Sequence, residues 1–174
     1  MYTEQKIERS VREFILRMLL WVKKVIGKNT EDRADNMTLK YFTKKEFDCN
    51  CSSCKTKGST GENMDIDFLV KLDKARDIAG VSFRINSGYR CPEHNKNVGG
   101  IKTSSHTNIP CNAADISTKV SVTRFKVLQA LLEVGFVRIG IGESFIHCDT
   151  DTENKSPEVC WTYFLFKLNK KWKF

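Results

Sequence analysis

No apolar run of eighteen or more residues occurs in the 174-residue chain, so the sequence predicts no membrane-crossing helix. No secretory leader is expected either. The opening "MYTEQKIERSVREFILRMLLWVKK" has Arg12, Glu13 and Arg17 interrupting its apolar residues, and no small-residue cleavage site follows. The expectation is synthesis in a reducing cytoplasm, with cysteines as thiols or metal ligands rather than disulfides. Histidine is scarce: His94, His106 and His147 are all there is, which bounds any search for a histidine metal site.

What is present in quantity is positive charge and cysteine. The formal net charge is +8, and there are seven cysteines, an odd number. A basic surface attracts nucleic acid, anionic lipid or the anionic polymers of a bacterial wall, and charge alone does not choose among them. An anion-binding accessory protein, for nucleic acid among other partners, rests on that charge alone. Apolar residues at 40% and charged residues at 29% are a globular balance, enough for one domain and an extension.

Residues 5–27 read as a basic amphipathic helix, because Ile7, Val11, Phe14, Met18, Trp21 and Val25 share one face. Such a helix packs on its own domain or a partner, or lies on an anionic membrane surface. The polar stretch 27–36 reads as a linker, which makes residues 1–36 an extension and 37–174 the domain.

Within the domain, "FTKKEF" reads as a first turn. "MDIDFLVKLDKARDIAG" reads as a helix that buries Ile66, Leu69, Val70, Leu72 and Ala75 and stops at Gly80. "SVTRFKVLQALLEVG" reads as a second helix, capped by Ser121 or Thr123. "VSFRINSG", "CNAADIST", "VRIGIG", "SFIHCDT" and "WTYFLFKL" read as strands. The expected fold class is α+β, an antiparallel sheet flanked by helices.

His106 follows Ser104 and Ser105 in a loop, and Asp115 opens an apolar strand nine residues later. His147 lies in a strand, and Asp149 two residues on shares its face. A hydrolytic zinc site takes three ligands from such residue types and leaves one position open. On spacing alone, a loop histidine and a strand histidine are more often ordinary surface or core residues. Near Cys49, Cys51 and Cys54 make half of a structural zinc site, which Cys91 completes if "SGYRC" folds back; a disulfide and free thiols are the alternatives. Cys148 points away from the His147 face in a regular strand and is expected to pack inside.

The ordered set "SGYRCPEHN", "VGG", "SSH", "AADI", "IGIG", "FIHCD" and "WTY" resembles the zinc D-Ala-D-Ala carboxypeptidase family over about residues 40–165. That family includes phage endolysins and vancomycin-resistance dipeptidases, and it shares its metal-site architecture with the hedgehog signalling domain. The resemblance implies a hedgehog/DD-peptidase-like fold. It also implies Zn²⁺ held by His106, Asp115 and His147, with Arg90, Asn95, Ser104 and Ser105 contacting substrate. His94 gets no metal role and is expected at the surface. Two departures stand out. The interval from His106 to Asp115 is nine where the family has seven and a glycine between. Ser144 occupies the place where many members carry the acidic general base, which leaves Asp149 and Glu143 as candidates.

The implied function is a zinc peptidase cleaving peptidoglycan stem peptides, as a D-Ala-type carboxypeptidase or an endolysin-like endopeptidase of phage or prophage origin. Its partners are peptidoglycan peptides and its place of action the cell wall, with no nucleic acid expected. The alternative is a zinc-containing wall-binding module without activity, to which Ser144 and the altered loop point.

Overall fold

The computed structural model describes residues 38–55 and 58–163. The helix expected at 5–27, the linker and any continuation of the last strand past residue 163 lie outside the described residues.

Among the described residues, five strands form one sheet: β1 (Ile85–Ser87), β2 (Ala113–Ser117), β3 (Arg138–Ile141), β4 (Phe145–Asp149) and β5 (Val159–Thr162). Their order is β1-β2-β4-β3-β5. The pairs β1–β2, β2–β4 and β3–β4 are antiparallel, as expected, whereas β5 joins β3 in parallel. The reason is topological. β3 and β4 form a hairpin, so a chain that leaves the end of β4 and crosses to the free edge of β3 must run in the direction of β3. β1 is shorter than the expected strand, and its register shifts between Ile85 and Ser87.

Among the described residues, four α-helices accompany the sheet: α1 (Ser52–Lys55), α2 (Ile66–Ala79), α3 (Pro92–Asn97) and α4 (Ser121–Glu133). The Asp65 carboxylate caps α2 by accepting from the Phe68 amide at 2.9 Å, and Gly80, at φ 59°, ends it in the left-handed region that glycine adopts freely. α2 buries Phe68, Leu69, Leu72, Ala75 and Ala79, so its inner face is centred on Phe68 and leaves Ile66 partly exposed. α4 begins after Val120 with no side-chain cap, so Ser121 is its first helical residue and neither expected cap is used. α3 was not legible in the sequence: six residues, mostly polar, carry no periodicity.

α2 packs against α4, and the Phe68 and Phe136 rings meet edge to face at 5.8 Å. Strand alternation then divides the sheet. Ala114 and Ile116 of β2 and Ile146 and Cys148 of β4 are fully buried in the core. Their neighbours Asp115, His147 and Asp149 point to the other face. In register, Asp115 pairs with His147, and His147 pairs with Gly140. A Cβ at Gly140 would lie 2.6–2.7 Å from the rings of Tyr163 and Trp161. Glycine there is what lets both aromatics lie over the sheet beside His147.

Candidate metal centre

Three elements converge on the open face. His106 sits in a single 3₁₀ turn (Ser105–Thr107), Asp115 in the middle of β2, and His147 in the middle of β4. The two residues by which the His106–Asp115 interval exceeds the family spacing fall in a loop pinned to the segment before α2. The Cys111 amide donates to the Asn63 carbonyl at 2.7 Å, and the Asp65 amide donates to the Cys111 carbonyl at 2.8 Å.

His106 Nε2 lies 3.1 Å from His147 Nδ1 and 3.3 Å from Asp115 Oδ1, and His147 Nδ1 lies 2.9 Å from the same oxygen. Zinc bonds of about 2.0–2.1 Å in a tetrahedron put donor atoms roughly 3.3 Å apart. The triangle therefore has the right size for one ion.

The outer nitrogens decide the tautomers. His106 Nδ1 is 2.7 Å from the Gly88 carbonyl, which can only accept, so the proton sits on Nδ1 and the Nε2 lone pair faces inward. His147 Nε2 is 3.0 Å from Asp149 Oδ2, which places a proton on Nε2 and the Nδ1 lone pair inward. Three acceptors thus face one another, an arrangement that suits a cation. Burial lowers the His147 pKa, but hydrogen bonds to Asp115 and Asp149 raise it more, so the net direction is up. His106 goes the other way, because burial outweighs Asp115 and keeps it neutral. Burial also pushes the Asp115 carboxyl up, yet the two histidines hold it well below the usual carboxylate range.

A cavity of about 400 Å³ opens beside the triangle, lined among others by Arg90, Ser104, Arg138, Lys155, Trp161 and Tyr163. Arg90 Nη2 donates to Asp115 Oδ2 at 3.3 Å, while its buried Nε has no partner. Ser104 and Ser105 both line the cavity, but the Ser105 hydroxyl is already engaged, with Asp151 Oδ2 at 3.0 Å and Lys155 Nζ at 2.5 Å. Asn95 is elsewhere. It is 4% exposed and donates through Nδ2 to the Ile101 carbonyl at 2.8 Å, so it holds the loop over the cavity instead of facing it.

The two candidate bases separate. Asp149 is the only carboxylate among the described lining residues, and its oxygens are committed. Oδ1 takes Arg138 Nε at 2.7 Å and the Asp151 amide at 3.0 Å, and Oδ2 takes His147. Burial pushes its carboxyl up, but His147, the Asp151 amide and Arg138 hold it below the usual range. Glu143 is exposed in the turn between β3 and β4 and does not line the cavity. The strand expected to carry it on the His147 face begins only at Phe145.

Arg138, Lys155, Trp161 and Tyr163 were not singled out by sequence reasoning as functional. The only available signal was "WTY", which belonged to the family pattern without a role attached.

A family model described as Peptidase M15 matches residues 40–149, which takes in all three donors, Arg90 and Asp149. No curated protein matches the chain.

Proposed function

The chain belongs to the peptidase M15 family, and from that premise we propose that it is a zinc-dependent peptidase that cleaves peptidoglycan stem peptides at the cell wall. One observation carries the reading: three potential ligand atoms, His106 Nε2, His147 Nδ1 and Asp115 Oδ1, lie 2.9–3.3 Å apart beside a cavity lined by Arg90, Arg138 and Lys155. Zinc bound there supplies Lewis-acid activation of water and of the scissile carbonyl.

The chain's own residues do the rest. Asp149 holds the His147 proton on Nε2 and keeps the ring in its plane. Arg90 lines the cavity, and its guanidinium can grip a substrate carboxylate or the carbonyl oxygen as it gains charge. Arg138 and Lys155, held by Asp149 and Asp151, offer charged donors to the carboxylates that stem peptides carry. Trp161 and Tyr163 give the cavity an apolar side for the peptide's methyl groups. Either a D-Ala-type carboxypeptidase or an endolysin-like endopeptidase of phage or prophage origin fits this cavity.

The test pairs metal analysis with digestion of purified peptidoglycan. Wild-type protein is expected to hold zinc at this site and release peptide products, and His147→Ala is expected to lose both. Equal zinc and equal digestion in the two proteins would defeat the proposal. One observation favours a second reading, the wall-binding module: the one carboxylate among the described lining residues accepts hydrogen bonds on both oxygens, and Ser144 stands at the usual base position. Zinc-dependent binding to peptidoglycan without release of products would establish it.

A further inference from the structure

On the other side of the β1–α3 turn lies a second cluster that the peptidase reading does not use. Cys49, Cys51, Cys54 and Cys91 bring four sulfurs within 4.8 Å of one another, although Cys91 lies 40 residues from Cys51. Cys49 Sγ and Cys51 Sγ are 3.6 Å apart, as are Cys51 Sγ and Cys91 Sγ. A disulfide would need roughly 2.05 Å. Zn–S bonds of about 2.3 Å in a tetrahedron place sulfurs roughly 3.8 Å apart, close to what is seen.

The surroundings suit thiolates. The Cys91 amide points at Cys49 Sγ at 3.4 Å, and the His94 amide points at Cys91 Sγ at 3.3 Å, where Cys91 is also the N-cap of α3. His94 Nδ1 lies 3.1 Å from Cys49 Sγ. The expectation of a plain surface histidine is therefore corrected: His94 is half-buried and braces a sulfur. Lys45 and Lys55 line the same cleft as Cys49 and Cys54, placing positive charge where four thiolates and one divalent ion would leave net negative charge.

We propose that Cys49, Cys51, Cys54 and Cys91 bind a structural zinc ion that ties the segment before α2 to the turn carrying Arg90. All four tetrahedral positions are filled by sulfur, so the site is closed and takes no part in hydrolysis. Its effect on the cavity is positional. Cys91 follows Arg90 directly, and the Tyr89 amide, on its other side, donates to the Phe47 carbonyl at 3.0 Å. Anchoring Cys91 to the 49–54 segment fixes that turn at a second point.

The test is made on the full chain prepared with reductant and zinc, in His147→Ala, which disables the first site, so its outcome does not depend on any peptidase assay. This variant is expected to retain about one zinc per chain. Substitution with Co²⁺ is expected to give the near-ultraviolet sulfur-to-cobalt charge-transfer absorption that histidine and carboxylate ligands cannot produce. Adding Cys91→Ser is expected to abolish or greatly weaken both signals, while Cys91→His, which restores a donor, is expected to retain metal with a shifted band. With zinc bound, the four cluster thiols should resist a thiol reagent until the metal is chelated, in addition to the buried Cys111 and Cys148. Metal-free His147→Ala without the cobalt–sulfur band overturns the proposal, and so does an intact mass showing disulfides among these cysteines in protein never exposed to oxidant.

Discussion

His147 and Asp149 lie two residues apart on one face of β4, and their side chains meet with Nε2 3.0 Å from Oδ2. The same imidazole turns Nδ1 toward Asp115 at 2.9 Å. One ring is thus held between two carboxylates, one at the donor triangle and one behind it.

That geometry makes Asp149 a positioning residue. In Asp149→Asn the amide must face His147 either with NH₂, which moves the ring proton to Nδ1 and removes the inward lone pair, or with its oxygen, which turns NH₂ against Arg138 Nε. Both outcomes weaken the site. Zinc affinity is expected to fall about 10–100-fold, read by competition with a chromophoric chelator. Unchanged affinity with hydrolysis lost would instead make Asp149 the group that transfers the proton.

Glu143→Gln is expected to leave zinc content and peptidoglycan digestion at the wild-type level. Glu143 is exposed in the β3–β4 turn, where its backbone carbonyl accepts from Arg124 and its side chain stays outside the cavity lining. A large loss of turnover with zinc retained would show that this turn folds onto the substrate.

How far the sequence foretold the site depends on what kind of information each residue carries. His106, Asp115 and His147 were legible because histidine is rare here and the family elements stand in order. Arg138 and Lys155 were not, because a basic residue becomes part of a cavity only through its tertiary partners, here Asp149 and Asp151. The family resemblance assigns Asn95 a substrate contact, but the turn of α3 carries its side chain inward. The convergence of Cys91 on Cys49, Cys51 and Cys54 was conceivable from the sequence, yet it required knowing how "SGYRC" returns across the chain. In the fold, periodicity located α2, α4 and most strands, whereas the parallel edge pairing of β5 depends on the route of residues 150–158 and leaves no local pattern.

Arg90→Ala is expected to retain zinc and fold, while turnover falls about 10²–10³-fold, the usual cost of removing a donor aimed at developing oxyanion charge. Arg90→Lys is expected to rescue poorly. The guanidinium can hold Asp115 through Nη2 and still present further N–H groups to substrate, and a single ammonium cannot span both tasks. Near-wild-type digestion by Arg90→Ala would reduce Arg90 to a brace for Asp115.

Gly100→Ala tests whether the loop over the cavity is held from beneath. A Cβ at Gly100 would lie 2.1 Å from Asn95 Oδ1 and 2.6 Å from its Cγ, far inside contact distance. Asn95 cannot yield without cost, because it is buried and its Nδ2 donates to the Ile101 carbonyl at 2.8 Å. Breaking that bond leaves buried polar groups unpaired, which costs about 1–3 kcal/mol. The alternative is that residues 99–104 shift, and with them Ile101 and Ser104 on the cavity wall. The donor triangle is anchored separately, through Gly88 and Asp149. Gly100→Ala should therefore keep its zinc while losing some thermal stability and raising KM for wall peptides more than it lowers kcat. Unchanged KM and melting temperature would show that the loop accommodates the methyl group and that Asn95 does not determine its position.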